Sequence, residues 1–317
     1  MGIKNMFMTL KNTSCPVGVD MGEEMLKLVQ LYPNGDNIQV LSGISKMCPS
    51  DIKQGSAQWQ HWCVEVFKSI ISENGFKNKE VVAALPAREV FVDTVKVEKV
   101  NKEDNNVEEV AFKKVKQRLP FETDDAVVKF IPTEENNVVV IATERKKIDR
   151  YLAIFEHVNL KVQSLGVWPL ALINTYVRFF GRRQSDFEAV VILVEIEQSC
   201  TNVVINRHKN LLFARSIPIG SSQFGVEEML NRLVLELEQC KRQFRSLYRK
   251  AHIERMIFLS GQNIPKEAYT KIAKQMELSA QIGDCVAAVE LKDPSQPGIE
   301  RRKCTINWST AFGLSLS

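Results

Sequence analysis

Val17-Gly18-Val19-Asp20-Met21-Gly22 is an apolar strand that ends in an acidic, glycine-containing turn. A second stretch, Ile192-Leu193-Val194-Glu195-Ile196-Glu197, has the same form, and Glu195 follows Asp20 at an offset of 175 positions. Each copy continues into a second strand, a polar turn and a third strand. A unit that occurs twice predicts two related lobes, with the two acidic turns facing the cleft between them.

The composition is that of an ordinary globular protein. The chain has 317 residues, 44% of them apolar and 25% charged, which is enough for two lobes that each have a core. Its net charge of +4 is too small to predict a nucleic-acid partner. No apolar run approaches the roughly 20 residues that span a bilayer, and no secretory signal is recognisable.

Cysteine and histidine usage points away from disulfides and metal sites. The seven cysteines are odd in number and form no CxxC pair, which favours free thiols in a reducing compartment. The four histidines are far apart and show no metal-ligand spacing. We therefore predict no metal site.

Breaks in the apolar pattern predict the domain organisation. Residues 1–16 form an N-terminal arm, 17–181 the first lobe and 189–317 the second lobe, whose outer subdomain is reduced. Pro86 interrupts a continuous apolar strand, and a small α/β unit at about 87–166 is predicted as an insertion in the first lobe.

The order of the motifs resembles that of PilM, the actin-like family of type IV pilus assembly, and more distantly FtsA of cell division. The segments that carry the resemblance are Asp20-Met21-Gly22 with Lys27, Leu85-Pro86, Leu119-Pro120-Phe121, Arg215 to Gly220, Phe258 to Gly261, and Ala311 to Leu316. The resemblance implies an α/β, actin-like fold, that is, a duplicated ribonuclease H-like fold of two lobes with an inserted α/β subdomain.

The resemblance also implies a partner. PilM-type proteins are cytoplasmic, lie at the inner face of the cytoplasmic membrane, and bind the short N-terminal tail of a bitopic membrane protein, PilN, in a groove beside the inserted subdomain. The candidate groove residues are Phe112, Val115, Leu119 and Phe121. Packing within the insertion itself is the alternative for each of them. Self-association is left open.

In this family the two acidic turns bind ATP and magnesium. Glycine admits backbone N–H groups to phosphate oxygens, and an aspartate organises the hydrated metal. The matching positions, by the resemblance, are Asp20, Gly22, Lys27, Glu195 and Gly261.

Several residues depart from the phosphate-binding pattern. Glu23 and Glu24 follow the first turn, where the family has small residues. In the second turn Glu195 replaces Asp and Glu197 replaces Gly, and the late double glycine reads Gly261-Gln262. Like charges about 4 Å apart repel by about 4 kcal/mol at an effective dielectric of 20. The sequence therefore disfavours ATP and magnesium as cofactors.

Three functions follow from these observations. The first is a non-catalytic scaffold of a type IV pilus or related secretion machine, with a degenerate nucleotide site and a PilN-like partner. The second is an ATP-binding or ATP-hydrolysing actin-like protein of the same machinery. The third is a sugar or acetate kinase-like enzyme, which lacks an evident catalytic base in the sequence.

Overall fold

The computed structural model describes residues 14–22, 24–73, 76, 80–97, 107–261, 264–291, 299 and 306–317. Most of the predicted N-terminal arm, Glu23 and Gln262 lie outside these residues. Within the described part, no helix is both long and apolar enough to span a bilayer.

The first lobe is built on a central sheet. Its first elements are β1 (Val17–Met21), β2 (Met25–Asn34), β3 (Asn37–Met47), α1 (Ala57–Glu73) and β4 (Glu80–Leu85). β1, β2 and β3 form an antiparallel meander, and β4 pairs in parallel with β1. Buried side chains on one face of α1 pack against this sheet because apolar residues recur at helical spacing, as Trp59, Cys63, Phe67 and Ile70 do.

A small subdomain is inserted after β4. It contains β5 (Phe91–Lys96), α2 (Val107–Val115), β6 (Ala126–Pro132) and β7 (Asn137–Glu144), and its three strands form a sheet in the order β5-β7-β6. The chain then continues through α3 (Arg145–His157), β8 (Lys161–Val167) and α4 (Trp168–Phe179).

The inserted sheet ends before the predicted boundary at residue 166. β8 pairs in parallel with β4 in the central sheet, and the buried face of α3 joins the core beneath that sheet. The sequence-based boundary is therefore corrected to about residue 144. The physical reason is that β8 completes the main sheet on the far side of β4, a long-range pairing that its local pattern does not reveal.

The second lobe repeats the arrangement. It contains β9 (Val190–Ile196), β10 (Thr201–Arg207), β11 (Asn210–Ile217), α5 (Glu227–Leu247), β12 (Ile253–Phe258), α6 (Lys266–Met276) and β13 (Ser279–Ile282). The strand order β11-β10-β9-β12-β13 matches β3-β2-β1-β4-β8 of the first lobe. α5 is a long amphipathic helix, and its apolar face packs on its own lobe.

The C-terminal segment returns to the first lobe. β14 (Glu290–Leu291) pairs with β3, and α7 (Ser309–Ser315) lies against β1, β2 and α4. Gly18 permits this contact, since a Cβ there would lie 2.1 Å from the Ala311 carbonyl oxygen. The predicted second lobe, 189–317, therefore includes an end that packs on the first lobe.

Candidate functional site

The strand register relates the two acidic turns. In the first lobe Asp20 lies opposite Lys27 on the β1–β2 ladder, and in the second lobe Glu195 lies opposite Asn202 on the β9–β10 ladder. The same offset of 175 positions extends to the parallel neighbours, because Val17 pairs with Val81 and Ile192 with Met256. The duplication seen in the sequence is thus a duplication of the strand register.

The first-lobe pair is a buried ion pair. Lys27 Nζ lies 2.9 Å from Asp20 Oδ2, and the Lys27 side chain is only 5% exposed. Burial alone would lower the pKa of Lys27, but the charges of Asp20 and Glu197 outweigh burial and raise it. Lys27 therefore stays charged in the interior, where an unpaired ammonium would be strongly unfavourable.

The second-lobe carboxylate is held by neutral donors. Asn202 Nδ2 donates to Glu195 Oε2 over 2.9 Å. Asn307 Nδ2 and the Thr310 hydroxyl donate to Glu195 Oε1 over 3.1 and 2.8 Å. Glu195 is almost completely buried, and burial, followed by repulsion from Glu197, raises its pKa above the usual carboxyl range.

Glu197 connects the two turns. Its Oε1 lies 3.6 Å from Lys27 Nζ and accepts a hydrogen bond of 2.8 Å from Asn307 Nδ2. Asn307 lies two residues before the start of α7, which packs on the first lobe. The two carboxylates of β9 and the turn after it thus face Lys27, Asn307 and Thr310, which come from first-lobe strands or from the segment packed on them.

All five residues predicted for a nucleotide site lie on one cleft between the lobes. The cleft encloses about 450 Å³, and its lining includes Asp20, Gly22, Lys27, Glu195 and Gly261. At Gly22 a Cβ would lie 2.9 Å from the Met25 carbonyl oxygen, so this turn requires glycine for close backbone approach. The predicted proximity of these residues is therefore observed, although their chemical role is a separate question.

The side chains on the cleft do not fit a magnesium–polyphosphate group. The Lys27 ammonium is already shared by two carboxylates, and both oxygens of Glu195 already accept hydrogen bonds. The lining carries four carboxylates, from Asp20, Glu24, Glu195 and Glu197, against the cations of Lys27 and Arg88. Within the described ranges, no group of three or more His, Cys, Asp or Glu side chains could hold a metal ion.

A groove lies between the inserted subdomain and the second lobe. It encloses about 350 Å³ and runs between β5, through Phe91 and Val92, and the end of β11, through Arg215 and Ser216. Phe121 lines it, with Lys147 Nζ 5.9 Å from the ring centroid. The groove and the cleft share wall residues, namely Ala87, Arg88, Trp168 and Cys200, so they adjoin.

The four predicted partner residues have different positions. Val115 is completely buried in the core of the inserted subdomain, and Phe112 packs against that core, so this apolar surface is used internally. For Val115 this is the alternative stated from the sequence, packing within the insertion, whereas the half-buried Phe112 stays a prediction for the partner surface. Leu119 is half-buried and does not line the groove, whereas Phe121 does.

Sequence reasoning missed the residues that donate hydrogen bonds to the buried carboxyl group of Glu195. Asn202 was detectable, since the offset of 175 positions places it opposite Glu195 as Lys27 lies opposite Asp20. Asn307 and Thr310 gave no such signal. They lie 112 and 115 positions from Glu195 and reach it only because the C-terminal segment returns to the first lobe.

The paired sheets, their shared register and the cleft between them define an actin-like protein with two related lobes. The family model of the type IV pilus assembly protein PilM matches residues 18–246, so the chain belongs to that family. A search of curated proteins finds no match.

The chain is similar to several solved structures. The PilM–PilN type IV pilus biogenesis complex includes a chain that is 18% identical, with 95% of this chain and 97% of that chain covered and a TM-score of 0.76. Ethanolamine utilization protein EutJ from Carboxydothermus hydrogenoformans is 10% identical, with 97% and 90% covered and a TM-score of 0.49. The cytoplasmic domain of EpsL, an inner-membrane component of the Vibrio cholerae type II secretion system, is 9% identical, with 90% of both chains covered and a TM-score of 0.49.

Proposed function

We propose that this protein is a non-catalytic scaffold of a type IV pilus or related secretion machine. In this proposal it is cytoplasmic, lies at the inner face of the cytoplasmic membrane, and binds the N-terminal cytoplasmic tail of a PilN-like bitopic membrane protein. Membership of the PilM family supports the machinery. The similar solved structure, which is a PilM–PilN complex, supports the kind of partner.

The groove between β5 and β11 is the observation that carries the proposal. Both strands are edge strands of their sheets, and no backbone ladder joins them in the described part of the chain. A strand edge presents unpaired N–H and C=O groups, so an extended peptide can add to it by backbone hydrogen bonds. A short tail entering this groove would gain such bonds from one of the two edges, since Cα atoms of β5 and β11 lie within 8 Å of each other where the strands contact, and a strand between them would need about 9.6 Å.

The groove also offers an apolar wall with cations beside it. Phe91, Pro120, Phe121 and Pro218 supply apolar surface, and Arg88, Lys147 and Arg215 supply positive charge. Lys147 is paired with Glu144 and Arg215 with Glu236, which leaves the apolar wall to contribute most of the affinity. We therefore expect apolar side chains of the tail to pack against Phe121.

The test is direct binding of a synthetic tail. A fluorescent peptide that copies the N-terminal cytoplasmic tail of the proposed PilN-like partner is titrated with the full chain, and anisotropy gives the Kd. Phe121→Ala is expected to weaken binding about tenfold, equivalent to about 1.4 kcal/mol. Leu119→Ala is the matched control, since it lies two positions away and does not line the groove. Absence of binding by a folded wild-type protein would count against the proposal.

ATP binding is the second candidate function. The observation that favours it is the convergence of Asp20, Gly22, Lys27, Glu195 and Gly261 on one cleft. Calorimetric titration with Mg–ATP decides between the two. The scaffold proposal expects no heat of binding at millimolar nucleotide, whereas the alternative requires saturable binding that Lys27→Met removes.

A further inference from the structure

Apart from Asn202 of the same lobe, the donors described here for Glu195 and Glu197 come from across the cleft. Lys27 lies on β2 of the first lobe, Asn307 precedes α7, and Thr310 lies within it. Glu195 lies on β9 of the second lobe, and Glu197 follows that strand. Four polar contacts therefore cross the cleft: Lys27 to Glu197, Asn307 to both glutamates, and Thr310 to Glu195. We call these contacts the cleft tie.

These contacts are largely shielded from water. Glu195 is 1% exposed, Asn307 8% and Thr310 5%, while Glu197 retains 30% of its side-chain exposure. Hydrogen bonds to charged groups in such surroundings are stronger than exposed ones. Breaking the cleft tie by opening the lobes would leave the carboxyl groups of Glu195 and Glu197 without these partners, so the closed arrangement is favoured by the chain itself.

A second set of contacts joins the inserted subdomain to the second lobe. Glu134 pairs with Arg207, and Glu135 accepts hydrogen bonds from the backbone N–H groups of Arg249 and Lys250 over 3.0 and 3.1 Å. Asn137 Nδ2 donates to the Leu247 carbonyl over 3.0 Å. We call these contacts the insert tie.

The two ties lie at opposite ends of the second-lobe sheet. Glu195 lies at the cleft end of the β9–β10 ladder, and Arg207 is the last residue of β10, which pairs with Val190 at the other end. Six residues of strand separate the ends, or about 20 Å at about 3.3 Å per residue. A rotation of one lobe relative to the other about any axis except the line through the two ties would therefore strain at least one of them.

We propose that this protein is closed without any ligand, with Lys27 as the internal cation of a lock between the lobes. In this arrangement the Lys27 ammonium pairs with Glu197 of the second acidic turn, and the Asn307 amide donates hydrogen bonds to both of its glutamates, a position that would otherwise suit a bound cation. The proposal does not depend on tail binding, and it explains why an actin-like fold with an unsuitable phosphate site keeps Asp20, Lys27 and Glu195 together.

The test measures the distance between the lobes in solution. Spin labels are introduced through noncanonical amino acids at Met47 of the first lobe and Ser222 of the second, which are both exposed. Wild-type protein is expected to give one narrow distance distribution that Mg–ATP does not change. Lys27→Met is expected to widen the distribution about twofold, because opened states become populated.

A second variant guards against misfolding. Glu197→Gln leaves the Lys27–Asp20 pair intact and removes only the ion pair across the cleft, and it is also expected to widen the distribution. Lys68→Met, at an exposed ion pair on α1, is the control and should match wild type. The proposal is overturned if wild type shows several distances, if Mg–ATP shifts the wild-type distance, or if Glu197→Gln stays as narrow as the control.

Discussion

The two lobes have the same strand register, but they stabilise their acidic residues differently. In the first lobe Asp20 faces a cation, Lys27, whereas in the second Glu195 faces the neutral Asn202 and takes further hydrogen bonds from Asn307 and Thr310. The difference shows that a duplicated backbone does not require duplicated chemistry. The first lobe pairs its acid locally, and the second depends on residues that reach it from across the cleft.

The largest expected effect concerns Gly18 on β1, because the equivalent position on β9 of the second lobe carries a much larger residue. Gly18 packs against α7, while its counterpart at the offset of 175 positions is Leu193, a buried core residue. Gly18→Ala places a Cβ 2.1 Å from one backbone atom of α7 and 2.5 Å from another. We expect a loss above about 4 kcal/mol in the free energy of unfolding, measured by urea denaturation.

Gly225→Ala is the matched control for this substitution. A Cβ there meets nothing within 4 Å, so the expected change stays within about 0.5 kcal/mol. If Gly18→Ala proved equally mild, α7 would not lie as close to β1 as the structure has it, and the contrast with Leu193 would lose its explanation.

The next largest effects compare the stability that the Asp20–Lys27 pair contributes with that of the Glu195–Asn202 pair. Lys27→Met removes the one lysine among the described residues that line the cleft, and it leaves Asp20 without its partner. We therefore expect the free energy of unfolding to fall by about 3–5 kcal/mol. Asn202→Ala removes one of the three donors to Glu195 and should cost about 1–3 kcal/mol. Urea denaturation of both variants at one pH gives the comparison. Equal losses would mean that the two pairs are energetically alike.

The central features of this architecture could be predicted from the sequence. The repeated strand and turn predicted two lobes with Asp20 and Glu195 facing one cleft, and the resemblance to the PilM family implied that Lys27 and Gly261 lie there too. Such features are local, since strand alternation and turn residues follow from neighbouring positions. The nature of the acidic pairing was not predictable, because it depends on Asn307 and Thr310, whose contacts depend on the path of the C-terminal segment.

Other errors have the same origin. β8 was assigned to the insertion because its pattern is only that of a strand, and its partner β4 lies far away in the sequence. Val115 looked available to a partner because helical periodicity identifies an apolar face but not what covers that face. Glycines in the sequence could have indicated where α7 packs closely on the first lobe, since Gly18 and Gly313 both lie at that contact.

The pH dependence of the free energy of unfolding tests how the second lobe stabilises Glu195. Burial raises the pKa of Glu195 to about 8, so the folded protein retains a proton that the unfolded chain, with a carboxyl pKa near 4.3, releases. The contribution of Glu195 to the free energy of unfolding is therefore complete below the carboxyl pKa of the unfolded chain, and it is lost as the pH rises towards 8. Glu195→Gln mimics the protonated form and lacks this loss.

We expect the free energy of unfolding of Glu195→Gln, relative to wild type, to rise by about 2 kcal/mol between pH 5 and pH 8. Urea denaturation at several pH values measures the difference, and the slope matters more than the absolute value because the amide also rearranges its bond with Asn202. A flat difference would show that Glu195 is already ionised in the folded state, with Lys27 neutralising both turns.

The smallest expected effect concerns the insertion, which only the first lobe has. Glu135 reaches from it to the second lobe and accepts hydrogen bonds from the N–H groups of Arg249 and Lys250. Both acceptor contacts are exposed, so Glu135→Gln should lower the free energy of unfolding by less than about 1 kcal/mol.

Native-state hydrogen exchange provides the sharper measurement, since the backbone amides of Arg249 and Lys250 should lose protection while those of β9 keep it. Glu188→Gln, at an exposed carboxylate of the segment that precedes β9, should leave both amides unchanged. If β9 lost protection together with the two amides, the insert tie would be coupled to the cleft tie, and the two lobes would open as a single cooperative unit.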